Sequence, residues 1–292
     1  MNKKKIYPIY FTFGALILYT VLYVIPGLIG IGYSFTNWSA YSDKLEFVGL
    51  ENFKMIFSAD EDYIKIILNT FKFTLITTIM KTILGLALAV LLTKSIKFLN
   101  FHRGVMFMPS VLSTLIVGMI FKSILNPATG LLNSFLRSVG LDFLARKWLV
   151  SSELAFGSVM AVDIWKGTGY IMTIIIAGIL SISSEYYEAA SIDGANGWQK
   201  FRSVTLPLLL PTLITTTVLN VIYGIRVFDI IYALTNGGPG KTTTEVLYTA
   251  VFKKFGTGQY AAGTALSSVI FIFMVIIGVF MIRNLTKDEV TK

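Results

Sequence analysis

Residues 261–282 read AAGTALSSVIFIFMVIIGVFMI, 22 consecutive positions without a charged side chain. An α-helix needs about 20 mostly apolar residues to cross about 30 Å of bilayer hydrocarbon. The stretch therefore predicts a membrane-spanning helix, and five earlier stretches meet the same criterion. The six predicted spans cover residues 7–34, 67–93, 104–125, 154–183, 206–234 and 261–282.

The composition of the whole chain agrees with these spans. Of 292 residues, 54% are hydrophobic and 14% are charged, and the mean hydropathy is +0.71. A soluble domain usually carries about 25% charged residues. We therefore predict an all-α integral membrane protein with six transmembrane helices, in one transmembrane domain over residues 1–292. Pro211 lies near the start of the fifth span, where we expect proline to be tolerated because first-turn N–H groups lack partners.

Basic residues are concentrated between the predicted spans. If the N-terminus is inside, the inner segments hold 11 basic residues in 48 positions, and the outer loops hold nine in 86. The positive-inside rule then places both termini in the cytoplasm. Because the net charge of +9 is explained by these segments, we expect no nucleic-acid partner. The apolar run at the N-terminus is too long for a signal peptide, which predicts a retained first span.

The chain offers little for catalysis. It has no cysteine and a single histidine, His102, so a cysteine or histidine metal site is not expected. Residues 238–242, GPGKT, resemble the end of a phosphate-binding loop, but the pattern requires glycine at position 235, which is Thr235. We predict a chain without enzymatic activity and without a cofactor of its own.

Charged residues inside predicted spans are candidates for function, because an unpaired charge there costs about 2.5–3.5 kcal/mol or more. Asp163 and Lys166 are three residues apart, as are Arg226 and Asp229, so each pair is expected to neutralise itself on one helix face. Lys81 lies deep in the second span and has no acidic residue three or four positions away. Residues proposed to line a solute path are Trp165, Tyr170, Asn220, Tyr223, Arg226 and Asp229. The alternative is that the pairs lock helices together and the aromatic side chains only pack.

The inner segment 184–205 is the most distinctive part of the sequence. Ser184 suits a helix N-cap, and Gly194 suits a left-handed C-cap. Apolar Ile192 and Trp198 lie beside charged residues. This mixture predicts a short helical surface that docks on another protein.

The same segment carries a family motif. It contains Glu188-Ala189-Ala190, then Gly194 after three residues, Val204 after nine more, and Leu206-Pro207. This spacing resembles the cytoplasmic loop of the permease subunits of binding-protein-dependent ABC importers, with valine in place of the usual isoleucine at 204. Residues 126–133, 165–169 and 235–240 resemble the carbohydrate-uptake group, which includes the first permeases of glycerol-phosphate and maltose systems. The resemblance covers about residues 10–285.

The resemblance implies a fold of the maltose-permease type in the bacterial cell membrane. It implies that Glu188, Ala189, Ala190, Asp193 and Gly194 couple the chain to an ATPase, with Glu188 facing a basic residue and Gly194 permitting the turn. The implied function is ATP-driven import of a sugar or sugar derivative.

The resemblance also implies partners. They are a second homologous permease, two cytoplasmic ATPase subunits that bind ATP and magnesium, an extracellular or periplasmic solute-binding protein, a sugar-like substrate and membrane lipid. The alternative function is a secondary transporter driven by an ion gradient. Such transporters usually contain internal repeats with interrupted spans, and the sequence contains no convincing repeat.

Overall fold

A computed structural model describes residues 10–58, 62–94 and 97–285. These residues are helical or irregular, apart from an isolated antiparallel β-bridge between Thr36 and Phe47. The helices are α1 (Tyr10–Tyr19), α2 (Ile25–Tyr33), α3 (Glu51–Ile56), α4 (Tyr63–Leu91), α5 (Leu99–Val111), α6 (Thr114–Ile124), α7 (Leu131–Ser138), α8 (Ala155–Leu180), α9 (Ser184–Ile192), α10 (Gly197–Lys200), α11 (Leu206–Ile225), α12 (Asp229–Thr235), α13 (Leu247–Gly256) and α14 (Tyr260–Leu285). A π turn, Thr20–Val24, joins α1 to α2, and another, Phe201–Thr205, joins α10 to α11.

The long helices confirm the predicted class. Among the described residues, five helical segments are long and apolar enough to cross a membrane, and the bent pair α5–α6 brings the number to six. The five are Thr12–Tyr33, Tyr63–Leu91, Ala155–Leu180, Gly197–Ile225 and Tyr260–Phe280. The chain is therefore an all-α protein with the apolar helices of a multi-pass membrane protein.

The third predicted span, residues 104–125, is not one continuous helix. Its two halves, α5 and α6, meet at an angle of 94°. Leu112 and Ser113 between them have ψ angles of 142° and 131°, which are extended rather than helical. The helical hydrogen bonds therefore stop at Val111 and start again where the Val117 N–H donates to the Ser113 carbonyl at 3.0 Å.

The fifth predicted span, residues 206–234, differs at both ends. Its helix α11 stops at Ile225, and α12 begins at Asp229 after a break in which Phe228 has φ −141° and ψ −61°. Pro211 lies inside α11, not in an unpaired first turn, because helical structure begins upstream at Gly197. The π turn ends directly before α11, where Pro207 lacks the N–H that a regular helix would pair four residues back.

The described chain forms two compact units, one within residues 10–63 and 250–272 and the other within 64–249 and 273–285. In the first unit, the chain after α2 packs on the start of α14. The ring centroids of Trp38 and Tyr260 are 4.9 Å apart, and the Ala261 N–H donates to the Trp38 carbonyl at 2.8 Å.

The second unit has an apolar core in two clusters. One joins α4, α6, α8 and α12 around Phe73, Val117, Val159 and Ile230, each at most 1% exposed. The other joins α4, α8 and α11 around Ala89, Ile175 and Leu209. Helices α4, α8 and α11 are thereby held side by side, and their polar residues face one another.

Candidate functional site

A cavity of about 180 Å³ lies among helices α4, α5, α8 and α11 of the second unit. Its lining combines charged, polar and aromatic side chains with few aliphatic ones. The lining residues are Lys81, Ser110, Asp163, Lys166, Gly167, Tyr170, Ile171, Leu219, Asn220 and Tyr223. Such a polar concavity within apolar helices is where a solute site or path is expected.

An ion pair lies in the wall of this cavity. Lys81 Nζ is 2.6 Å from Asp163 Oδ2, and the two side chains are 3% and 2% exposed. The Tyr223 hydroxyl donates to Asp163 Oδ1 at 2.8 Å. Lys81 Nζ also lies 4.5 Å from the centroid of the Tyr223 ring, within cation–π range. Three residues from α4, α8 and α11 therefore form one network, in which Lys81 and Asp163 are buried and Tyr223 is 41% exposed.

Small residues allow these helices to approach closely. A Cβ atom added at Gly167 would lie 2.7 Å from Lys81 Cε, so glycine leaves room for the lysine stem beside α8. A Cβ at Gly224 would lie 2.8 Å from Thr74 Cα, where α11 meets the backbone of α4. Small residues at such contacts are typical of helix packing in membranes.

Two other cavity residues present hydrogen-bond donors. Asn220 is 5% exposed, and its Nδ2 has no hydrogen-bond partner among the described residues. Lys166 Nζ donates to the Ser110 carbonyl at the long distance of 3.4 Å, while Ser110 Oγ donates to the Lys166 carbonyl at 2.9 Å. A buried amide with an unused donor is costly unless it meets an acceptor.

The structure separates the six predicted path residues into two groups. Tyr170, Asn220 and Tyr223 line the cavity. Trp165 does not line it and is 46% exposed, with its ring 5.1 Å from that of Phe121. Arg226 and Asp229 are exposed beside the break between α11 and α12, outside the cavity.

Both predicted ion pairs are wrong. Asp163 contacts Lys81 instead of Lys166. Arg226 and Asp229 form no salt bridge in the described part of the chain, because the break between them removes the helical geometry on which three-residue spacing depends. Sequence reasoning missed the Lys81–Asp163 contact, whose members are far apart in sequence. The sequence did contain a signal for this contact. Lys81 has no acidic residue nearby in its own span, and a charged residue inside a span needs a counter-ion, which a residue of another span such as Asp163 can supply.

The segment 184–205 forms two short helices and a π turn. The N-cap of α9 is Ser183, whose hydroxyl accepts from the Glu185 N–H at 3.4 Å, so the predicted cap at Ser184 is wrong by one position. Gly194 has φ +76°, the predicted left-handed conformation. Glu188, Ala189 and Asp193 are exposed, and Ala190 is half-buried.

Hydrogen bonds hold this segment in a defined shape. Asn196 and Gln199 form a reciprocal capping box at the start of α10. Lys200 Nζ donates to Ser191 Oγ at 2.7 Å, and the Tyr187 and Thr205 hydroxyls are 3.0 Å apart. Apolar side chains remain uncovered on its surface; they are Tyr186, Ile192 and Trp198, which are 56%, 87% and 67% exposed.

The described residues contain no cluster of three or more His, Cys, Asp or Glu side chains that could hold a metal ion. The polar groups of the cavity are suited to hydrogen bonding with a solute.

The residues that line the cavity and the segment 184–205 both lie within the part of the chain that matches a known family. The family described as binding-protein-dependent transport system inner membrane component matches residues 81–287. The multiple sugar-binding transport system permease protein of Streptococcus mutans serotype c is 35% identical over 278 residues, 94% of this chain and 93% of that protein. The trehalose/maltose transport system permease protein of Thermococcus litoralis is 36% identical over 228 residues, 78% of this chain and 76% of that protein.

A solved structure shares the fold. It is a chain of a bacterial alginate ABC transporter in complex with an alginate pentasaccharide-bound periplasmic protein. The TM-score is 0.83 at 24% sequence identity, over 97% of this chain and 95% of that one.

Proposed function

The chain belongs to the family of binding-protein-dependent transport system inner membrane components, and we propose that it forms part of the path for a sugar or sugar derivative in an ATP-driven importer. The observation that carries the proposal is the polar cavity among α4, α5, α8 and α11. Its unused Asn220 amide donor and its Tyr223 and Tyr170 rings suit a solute rich in hydroxyl groups. The sugar-transport names of the two relatives support the solute class.

The segment 184–205 is the proposed contact with the ATPases. It presents exposed Glu188 and Ala189 beside uncovered Ile192 and Trp198, a combination that suits a docking surface with one charged contact. The left-handed turn at Gly194 lets the chain reverse between α9 and α10. In this proposal, the two partner ATPase subunits bind ATP and magnesium.

Further partners complete the proposed importer. A second homologous permease closes the path, and a periplasmic or extracellular binding protein delivers the solute. The periplasmic protein bound to the alginate transporter supports this arrangement. The distribution of basic residues supports a multi-pass orientation in the bacterial cell membrane with both termini in the cytoplasm.

The test is reconstitution of the whole importer in liposomes. Maltose and trehalose, each supplied with the binding protein, are expected to stimulate ATP hydrolysis. Glu188→Arg is expected to abolish the stimulation, and Glu153→Arg, an exposed charge reversal just before α8 at the opposite end of that helix, is expected to retain it. Normal stimulation in Glu188→Arg would contradict the coupling role. Uptake that persists without the ATPases and follows an ion gradient would support a secondary transporter.

A further inference from the structure

Lys81 is the one member of the network of Lys81, Asp163 and Tyr223 for which the sequence suggests no role. It lies on α4, is 3% exposed, and places its ammonium against the Asp163 carboxylate and over the Tyr223 ring. The solute path proposed above lies directly beside it. The orientation of the Tyr223 hydroxyl connects the two.

Asp163 determines which way the Tyr223 hydroxyl proton points. As the anionic member of an ion pair, the carboxylate only accepts hydrogen bonds. The 2.8 Å contact between Tyr223 and Asp163 Oδ1 therefore requires the phenol to donate. Once its single proton is used, the phenolic oxygen has only lone pairs left, so Tyr223 offers the cavity an acceptor.

The remaining polar groups of the cavity have the opposite character. Asn220 Nδ2 is a donor without a partner, and the Lys166 ammonium is a donor whose one contact in the described residues is long. A hydroxyl group both donates and accepts. Adjacent hydroxyls of one solute can therefore donate to Tyr223 and accept from Asn220.

We propose that Lys81 is a positioning residue for the solute: its ion pair with Asp163 fixes the Tyr223 hydroxyl as a donor to the carboxylate and leaves the phenolic oxygen as the acceptor for a solute hydroxyl. The contact with the solute in this proposal rests on the proposed function, whereas the orientation of the Tyr223 hydroxyl does not. Lys81 itself needs no contact with the solute.

Ultraviolet resonance Raman spectroscopy tests the orientation without any solute. The tyrosine doublet distinguishes donor from acceptor phenols, and subtraction of the Tyr223→Phe spectrum isolates this residue in the assembled importer. The wild type is expected to give a strong-donor signature that weakens in Lys81→Met, because the Lys81 ammonium no longer holds the Asp163 carboxylate in place beside the phenol. Lys72→Met is the matched control, because Lys72 lies on the same helix with its ammonium 5.7 Å from the Phe156 ring. An unchanged signature in Lys81→Met would overturn the proposal.

A charge swap separates positioning from simple pairing, and it also serves if Lys81→Met fails to assemble. In Lys81→Asp with Asp163→Lys, the ion pair is retained but an ammonium now faces Tyr223, so the phenol must accept. The swap is expected to assemble and still lose the donor signature. Recovery of the wild-type signature and solute response in the swap would show that only the pairing matters.

A double-mutant cycle tests the effect on the solute, with maltose and trehalose as probes. Tyr223→Phe and Lys81→Met are each expected to raise the half-saturating sugar concentration for ATP hydrolysis about 3- to 10-fold. The double variant is expected to be no worse than Tyr223→Phe alone, because Lys81 acts through Tyr223. Multiplied effects would contradict the proposal. A wild type that ignores both sugars would contradict maltose and trehalose as solutes of this importer, while the Raman spectra still decide the role of Lys81.

Discussion

Gly224 lies where α11 packs closely against α4 beside the cavity. It lies on α11 next to Tyr223, and a Cβ atom there would be 2.8 Å from Thr74 Cα and 2.8 Å from Thr74 Oγ1 on α4. The Cα atom belongs to the backbone of a 29-residue helix, so the obstacle cannot rotate away as a side-chain end would. Gly224→Ala must therefore push two helices apart.

The expected cost follows from that geometry. Adding a methyl group to a filled contact costs about 1–3 kcal/mol, and replacing a helical glycine by alanine returns about 0.5–1 kcal/mol. Gly157→Ala is the matched control, since Gly157 lies on α8 with no atom within 4 Å of an added Cβ. Gly157→Ala should therefore show only the stabilisation of about 0.5–1 kcal/mol that alanine brings to a helix. The two substitutions are thus expected to differ by about 1–3 kcal/mol.

Thermal denaturation of the purified transporter in mild detergent measures the difference. At about 2–4 °C for each kcal/mol, Gly224→Ala is expected to melt about 2–12 °C below Gly157→Ala. Gly224→Ser should be destabilised at least as much, because its side chain is larger. Equal melting temperatures for Gly224→Ala and Gly157→Ala would refute the close approach of α11 and α4.

Three more predictions concern stability. Asp163→Asn leaves Lys81 buried without a counter-ion and is expected to lower the free energy of unfolding by about 3–5 kcal/mol, and the double variant Asp163→Leu with Lys81→Met should recover most of this loss. Melting curves of the two variants measure the difference, and equal losses would contradict it. Gly194→Ala strains a residue at φ +76° and should destabilise the segment by about 1 kcal/mol, seen as faster amide exchange in 184–205 but not in α14. Asn69→Ala removes donations to the Thr242 and Glu245 carbonyls and should cost about 1–3 kcal/mol, with proteolysis near residue 242 as the readout; unchanged proteolysis would refute it.

The fold class follows from the sequence because apolar length alone determines which segments can cross a bilayer. The bend at Ser113 could not be predicted in that way. Residues 104–125 remain mostly apolar through the bend, and Pro109, the proline of this segment, lies inside α5 rather than at the bend itself. Hydropathy therefore identifies the segment as a span but does not locate the end of α5.

The site was predictable only in part, for a similar reason. Tyr170, Asn220 and Tyr223 were selected because sugars are often held by aromatic faces and polar groups, and the structure places all three in one cavity. The partner of Asp163 was not, because spacing rules describe contacts within one helix, whereas Lys81 reaches Asp163 from another. Gly194 was predicted well, since a left-handed turn depends almost entirely on the local residue.

The chain connects the two parts of the proposed mechanism directly. The segment 184–205 joins the end of α8 to the start of α11, and these are two of the helices that line the cavity. At 1.5 Å per residue, Tyr170 lies about 15 Å from the end of α8, and Asn220 about 21 Å from the start of α11.

A helix transmits displacement over such distances with little loss, except where its hydrogen bonding changes. The π turn Phe201–Thr205 is such a place on the α11 side, and the chain between α8 and α9 includes the extended residue Ser183. Movement of α9 by an ATPase would therefore reach the cavity through two unequal connections. These two connections would shift α8 and α11 relative to each other, which would strain the hydrogen bond between Asp163 on α8 and Tyr223 on α11.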